Sequence, residues 1–173
     1  MKELPSCTYL VSKNGDVKLQ DVYEWLSSNK LTLNLSKTKY VVFHPRQKVS
    51  YNLYPPIMLA NQFIERVRSV KYLGLILDSN LSWQNHIDHI AEKISKSINI
   101  MVKVKRCLGT KTLLSIYYSL IYPYLSYSCQ LWGNNYGSTL DPLVKLQNKA
   151  VRIINNVPLY DHITPHYVNL NLL

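Results

Sequence analysis

Glycine is scarce in this chain. There are five among 173 residues, and they form no cluster. A loop that cradles phosphates on its backbone needs several glycines within a few positions, so Walker-type and dinucleotide-type sites are excluded. Acidic residues are scarce too, ten against twenty Lys and Arg. No two of them share a strand end at close spacing. Two-metal phosphoryl transfer needs carboxylates gathered around ions about 4 Å apart, and no such set is visible. Cysteine is limited to Cys7, Cys107 and Cys129, odd in number and far apart. That spacing suits neither a disulfide framework nor a zinc knuckle and points to a reducing, intracellular setting. A Ser-His-Asp arrangement is absent. The opening MKELPSC has no apolar core of the kind a signal peptide needs, so none is expected.

One long segment lacks charge altogether. From Thr112 to Leu140 no Asp, Glu, Lys or Arg occurs, a length able to cross a bilayer. Its polar load argues otherwise: Ser115, Ser119, Ser126, Ser128, Gln130 and five tyrosines between positions 117 and 127. Leu113, Tyr117, Leu120, Ile121 and Tyr124 instead fit one face of a buried helix, and no membrane span is expected.

What is present is apolar and basic. Hydrophobic residues make up 47% and charged residues 17%, the profile of a folding chain. A net charge of +10 favours a polyanionic partner, nucleic acid or an anionic membrane surface.

The first half reads as helix and strand. Asn14-Gly15 signals a turn, and Asp16 caps a helix with Leu19, Val22, Tyr23 and Leu26 inward, ended at Asn29. Leu31, Leu33 and Leu35 alternate as a half-buried strand, followed by a short apolar run from Tyr40 to Phe43. Pro45 to Pro56 reads as a loop. Ile57–Leu59 and Phe63–Val67 flank Asn61-Gln62 as a hairpin. Val70 to Leu77 reads as one further strand with Gly74 at its centre, where a glycine marks a bulge or a close backbone approach.

From Ser82 the pattern turns helical. Ile87, Ile90, Ala91, Ile94, Ile98, Met101 and Val102 keep helical spacing, with Lys93, Lys96 and Lys103 outward. Gly109 stops that helix and Thr110 caps the next. Pro123 kinks or restarts it, and Trp132-Gly133 closes the segment. Thr139 caps a last helix with Leu143, Leu146, Ala150, Val151 and Ile154 inward and Lys145, Lys149 and Arg152 outward. The expected class is α+β: a small helix-and-strand unit over 1–81, then a helical bundle over 82–173.

Four stretches stand in a telling order: WLSSNKLTLNLSKTKYVVF, VKYLGLILDSNLSW, LLSIYYSLIYPYLSYSCQLWG and LVKLQNKAVRII. This order resembles the reverse transcriptases of non-LTR (LINE-type, jockey-like) retrotransposons, over nearly the whole chain from about Tyr9. The resemblance implies that 1–81 is the end of a polymerase palm, with motif D and the primer grip, and that 82–173 is a thumb-like region. It makes Tyr72, Leu73 and Gly74 the primer-grip-like contact. It makes Lys37 the motif D lysine, which in the family serves the departing pyrophosphate as an acid, a role worth ~10²–10⁴-fold in rate. Lys93, Lys96, Lys103, Lys105, Arg106 and Lys111 would then hold phosphates of an RNA–DNA hybrid or duplex without sequence preference.

The departure from the family matters as much. Laid without gaps, Pro5-Ser6 fall where its metal-binding aspartate pair stands. The intact enzyme uses Mg²⁺, whereas this chain is expected to hold no cofactor and to be inactive alone. Asp78 and Asp88 read as a turn residue and a solvated helix residue. His86 and His89, and His162 and His166 across Pro165, lack the Glu base and third ligand of a zinc hydrolase. The alternative is a non-catalytic nucleic-acid-binding or interaction module that keeps the thumb fold. Localisation is expected in nucleus or cytoplasm.

Overall fold

The computed structural model describes residues 2–3, 9–10, 19–45, 56–60, 62–158, 160–170 and 172. The Asn14-Gly15 turn, the Asp16 cap, the Pro5-Ser6 pair and nearly all of the 45–56 loop lie outside them. The chain is α+β and divides into two units, Met1–Ser82 and Trp83–Leu173.

The first unit is built from very short strands. β1 (Lys2–Glu3) runs parallel to β3 (Leu31–Thr32). β4 (Lys39–Tyr40) lies between β2 (Tyr9–Leu10) and β7 (Glu65–Arg66), parallel to both. An ion pair of 2.9 Å joins Lys39 to its cross-strand partner Glu65. α1 (Leu19–Ser28) buries Leu26. It ends where expected: the Asn29 backbone and side-chain N–H groups both donate to Trp25 O, and Lys30 takes a left-handed φ of 57°.

The Leu31–Leu33–Leu35 strand stops after Thr32. Asn34 Oδ1 accepts from Ser36 Oγ and from the Lys37 N–H, and Thr38 Oγ1 donates to Asn34 O. These local bonds draw Leu35–Lys37 into a single 3₁₀ turn, because they satisfy the backbone without a neighbouring strand. Leu33 and Leu35 still pack on the small core of Tyr40, Leu59 and Ile64. The apolar alternation therefore predicted burial correctly and conformation only in part.

The expected hairpin forms shifted and shorter: β5 (Met58–Leu59) runs antiparallel to β6 (Gln62–Phe63), so Gln62 is a strand residue, and Glu65–Arg66 of the expected second arm pairs with β4 instead. The Val70–Leu77 expectation needs correction. It is two strands, β8 (Ser69–Tyr72) and β9 (Leu75–Asp78), paired antiparallel from Tyr72↔Leu75 out to Ser69↔Asp78. Leu73 and Gly74 form the two-residue turn, with φ of 46° and 86°. Positive φ at both central positions is the type I′ turn, whose twist matches that of paired strands. Gly74 is thus needed for its φ, not for a bulge.

Beyond β9, Asp78 holds the chain. Its Oδ2 accepts from the Ser82 N–H and hydroxyl at 3.1 and 2.8 Å. Asn80 Nδ2 donates to His44 O, and the His44 N–H to Ser79 O. Asp78, expected as a turn residue, is the buried last residue of β9, and its side chain anchors the turn that follows.

The second unit is helical. α2 (Gln84–Val104) follows Trp83, and α6 (Gly137–Asn155) lies against it in the most extensive helix pairing of the unit. Ile87, Ile90, Ile94, Ile98 and Met101 are buried on α2; Leu143, Ala150, Val151, Ile153 and Ile154 are buried on α6. Val102, expected inward, is exposed, because it lies off the stripe set by the isoleucines.

α3 (Thr110–Leu120) begins after Gly109, whose φ of −75° any residue adopts, so α2 ends at Val104 without it. α4 (Tyr122–Ser126) restarts at Pro123 as expected, and Ser97 Oγ donates to Leu120 O, the carbonyl left at that break. α5 (Cys129–Trp132) ends at Gly133, where a Cβ would lie 2.6 Å from Cys129 O, so a side chain is excluded there. α6 starts two residues before Thr139, and α7 (Thr164–Asn169) follows it. Within the charge-free segment Leu113, Tyr117 and Ile121 are buried, while Leu120 and Tyr124 are exposed. Among the described residues no helix is long and apolar enough to cross a membrane.

A leucine at the first turn position of β8–β9 carries the left-handed penalty of about 1 kcal/mol, which asparagine largely avoids. Leu73 is 71% exposed, so little packing is lost on replacing it. Leu73→Asn is expected to stabilise the hairpin by about 0.5–1 kcal/mol, slowing amide exchange of its ladder roughly two- to fivefold. Gly74→Ala is expected to speed it. Unchanged exchange in both variants would contradict the turn assignment.

Candidate nucleic-acid interface

The cations come from three local settings. On α2, Lys93, Lys96 and Lys103 recur at three- and seven-residue spacing and therefore share one side of the helix. Lys96 and Lys103 are exposed and Lys93 is half-buried. The exposed Ile100 lies between them on the same stripe. Lys96 is not idle: its Nζ meets Glu92 Oε1 at 2.5 Å, one turn away. That hydrogen bond and the ammonium charge hold the Glu92 carboxyl below its usual range.

Lys105 and Arg106 follow α2 in the exposed turn before α3, and Lys111 is the second residue of α3. The structure does not collect all six cations into one patch. It brings Lys105 instead to a pocket shared with Lys149 and Arg152 of α6. Sequence reasoning placed those two outward without assigning them a role. The available signal was the Lys145, Lys149, Arg152 spacing, which makes one basic stripe along α6.

In the first unit, Lys37 ends the 3₁₀ turn with its side chain in solvent. A hollow of about 310 Å³ nearby is lined by Thr32, Leu33, Asn34, Leu35, Ser36 and Gln62, none of them charged. Tyr72, Leu73 and Gly74 form the exposed tip of the β8–β9 hairpin. The backbone there is open to approach, and two apolar side chains stand beside it.

Aromatic groups supply the other surface feature. Tyr118 and Tyr122 meet edge-on at 5.5 Å between ring centres, and Tyr118 likewise meets the buried Tyr117. Tyr118, Tyr122, Tyr124 and Tyr127 are exposed, so the charge-free segment presents tyrosines to solvent instead of burying them all.

The histidine pair on α2 is split by its environment. His86 is 2% exposed, and its ring stands edge-on to Trp83 and to Trp132, at 6.1 and 5.9 Å. Burial lowers its pKa below the ordinary 6.5, and His89 lowers it further. Among the described residues no three of His, Cys, Asp or Glu come together closely enough to hold a metal ion. Asp88 is exposed and bonded by Gln84 Nε2 across one turn.

Comparison with known proteins places this geometry in a context. The chain is 28% identical over 161 residues to the RNA-directed DNA polymerase from the mobile element jockey of Drosophila melanogaster, covering 90% of this chain and 17% of that protein. It is 24% identical over 152 residues to the probable RNA-directed DNA polymerase from transposon X-element of the same fly, 86% of this chain and 16% of the relative. A third relative, the probable RNA-directed DNA polymerase from transposon BS, is 26% identical over 120 residues. The chain is thus distantly homologous to non-LTR retrotransposon reverse transcriptases. It spans about a sixth of the length of the first two relatives, 16% and 17%. No family model matches it, and no solved structure matches it significantly.

A depressed histidine pKa sets a pH dependence. Between the folded-state pKa and 6.5 the unfolded chain binds more protons, so folding stability rises with pH there. The stability from a neutral His86 is complete above about pH 7.5 and is lost as pH falls through 6.5 toward the folded value. Urea midpoints read by tryptophan fluorescence are expected to drop between about pH 7.5 and 5.5, and to drop less in His86→Phe. Equal pH slopes in the two proteins would remove His86 as the cause.

Proposed function

We propose that the chain is a C-terminal portion of a non-LTR retrotransposon reverse transcriptase, palm end followed by thumb, and that it grips nucleic acid without performing the chemical step. The observation that carries this reading is the homology across 86–90% of the chain to proteins named as RNA-directed DNA polymerases. The strand-then-helix order and the outward cations of α2 support it. In this reading the β8–β9 tip, Tyr72-Leu73-Gly74, lies along the primer, where an exposed turn backbone meets the sugar–phosphate chain. The thumb offers Lys93, Lys96 and Lys103 on one helical side, with Lys105, Arg106 and Lys111 at its end. Lys37, exposed at the end of the 3₁₀ turn, is the relic of the leaving-group acid. The place of such a protein is the nucleus or cytoplasm.

Two outcomes follow for the isolated chain. With Mg²⁺ or Mn²⁺ it is expected to extend no primer on an RNA template, and template-dependent incorporation above a no-protein control would sink the non-catalytic part of the proposal. It is expected to bind hybrid or duplex weakly and without sequence preference, with the slope of log affinity against log salt gaining about −0.9 per phosphate neutralised.

Substitution separates the sites. Lys103→Ala plus Arg106→Ala should make that slope shallower by about two units and weaken binding at low salt. Lys37→Ala should leave duplex affinity unchanged and stability within about 0.5 kcal/mol. Equal losses of affinity from both changes would argue against assigning Lys37 and the thumb cations to different tasks.

A further inference from the structure

The pocket near the C-terminal ends of α2 and α6 has a volume of about 230 Å³. Lys105, Lys149 and Arg152 line it together with Asn156, over a floor that includes Ile153 and Val157; no acidic side chain takes part. Cations gather at helix C-termini for a plain reason, since the free carbonyls there carry partial negative charge. Here that reason is already met by backbone donors. Asn156, at a left-handed φ of 54°, donates its N–H to Ile153 O, and the Val157 N–H reaches Arg152 O. This closes α6 as a Schellman motif. At the end of α2, Lys105 N–H bonds Met101 O and Leu108 N–H bonds Val104 O.

The side-chain charges are therefore surplus to capping. Arg152 spends one Nη1 donor on Pro158 O at 2.7 Å, and among the described residues the rest of its five-donor fork takes no other hydrogen bond. Lys105 and Lys149 make no ion pair and no side-chain hydrogen bond among the described residues. Three like charges around one hollow repel each other, and an anion seated between them reverses the sign of that interaction.

We propose that this pocket binds a phosphate group, with Lys105 and Lys149 as point charges and the Arg152 fork as the directional donor. The apolar floor gives an attached sugar or ester carbon a surface to cover. That the phosphate belongs to a nucleic acid rests on the function proposed above; that the pocket takes a phosphate does not.

The test uses the whole chain, isotope-labelled, titrated with pyrophosphate at about 0.1 M salt and followed by amide resonances. Saturable shifts at Asn156 and Val157 are expected. Lys105→Ala plus Lys149→Ala should weaken binding about tenfold or more, a change of ~1.4 kcal/mol at the lower limit. Lys105→Arg plus Lys149→Arg should restore it, and Lys145→Ala, outside the pocket, should leave it unchanged. Shifts that do not saturate, shifts centred elsewhere, or an alanine pair that binds as tightly as the parent would overturn the site.

A duplex arm then identifies the source. A duplex that competes with pyrophosphate assigns the pocket to a backbone phosphate, and one that binds alongside it assigns the pocket to a free phosphate or polyphosphate. Pyrophosphate binding with no duplex binding at all keeps the site and removes the nucleic-acid reading.

Discussion

The packing of α2 on α6 is the constraint on which the helical unit depends. Ile87, Ile94, Ile98 and Met101 are sealed from water on one side, Ala150 and Val151 on the other. Each isoleucine so buried contributes about 1.5–3 kcal/mol, and truncating one to alanine costs roughly 2–5 kcal/mol. Ala150, with no side chain beyond Cβ, allows close approach of the two backbones. Once this seam fixes the rotation of each helix, the opposite faces follow. Lys93, Lys96 and Lys103 must then point away from α6, and Lys149 comes to the pocket beside Lys105.

Polar groups tie the remaining helices to the seam. Gln147 Nε2 donates to the Tyr117 hydroxyl at 3.0 Å, and the Tyr167 hydroxyl donates to Asn148 Oδ1 at 2.8 Å. Burial raises the pKa of both tyrosines, that of Tyr167 to about 12, so both remain neutral donors or acceptors at any physiological pH. The first unit works differently. Its strands are mostly two residues long, its core is small, and side chains such as Asn34, Asp78 and Asn80 satisfy backbone groups that a longer ladder would otherwise take.

These two styles of construction bear on function. Lys93, Lys96, Lys103, Lys145 and Lys149 are carried by the packed helices α2 and α6, whereas the hairpin tip at Leu73-Gly74 is shaped by a turn that needs no helix behind it. A long-stemmed lysine on a fixed helix presents charge at a set spacing, which suits a regular polyanion. The acidic shortage reinforces it: Lys39 pairs with Glu65 and Lys96 with Glu92, but ten acidic residues cannot neutralise twenty Lys and Arg.

The α+β class, the start of the helical half, the isoleucine face of α2, the inward positions of α6 and the basic character of the outer faces were all legible in the sequence. Each rests on periodicity or composition, which one short window contains. The family likeness was legible through the order of four motifs. Features set by contacts between segments or within a turn were not. Leu73-Gly74 became a turn because strand pairing, a contact between two segments, decided where β8 ended and β9 began. The strand at Leu31 was cut short because Asn34 found closer partners within its own turn. The Lys105–Lys149–Arg152 pocket joins residues more than forty positions apart on two helices. No single window holds that distance; only the packing of α2 against α6 sets it.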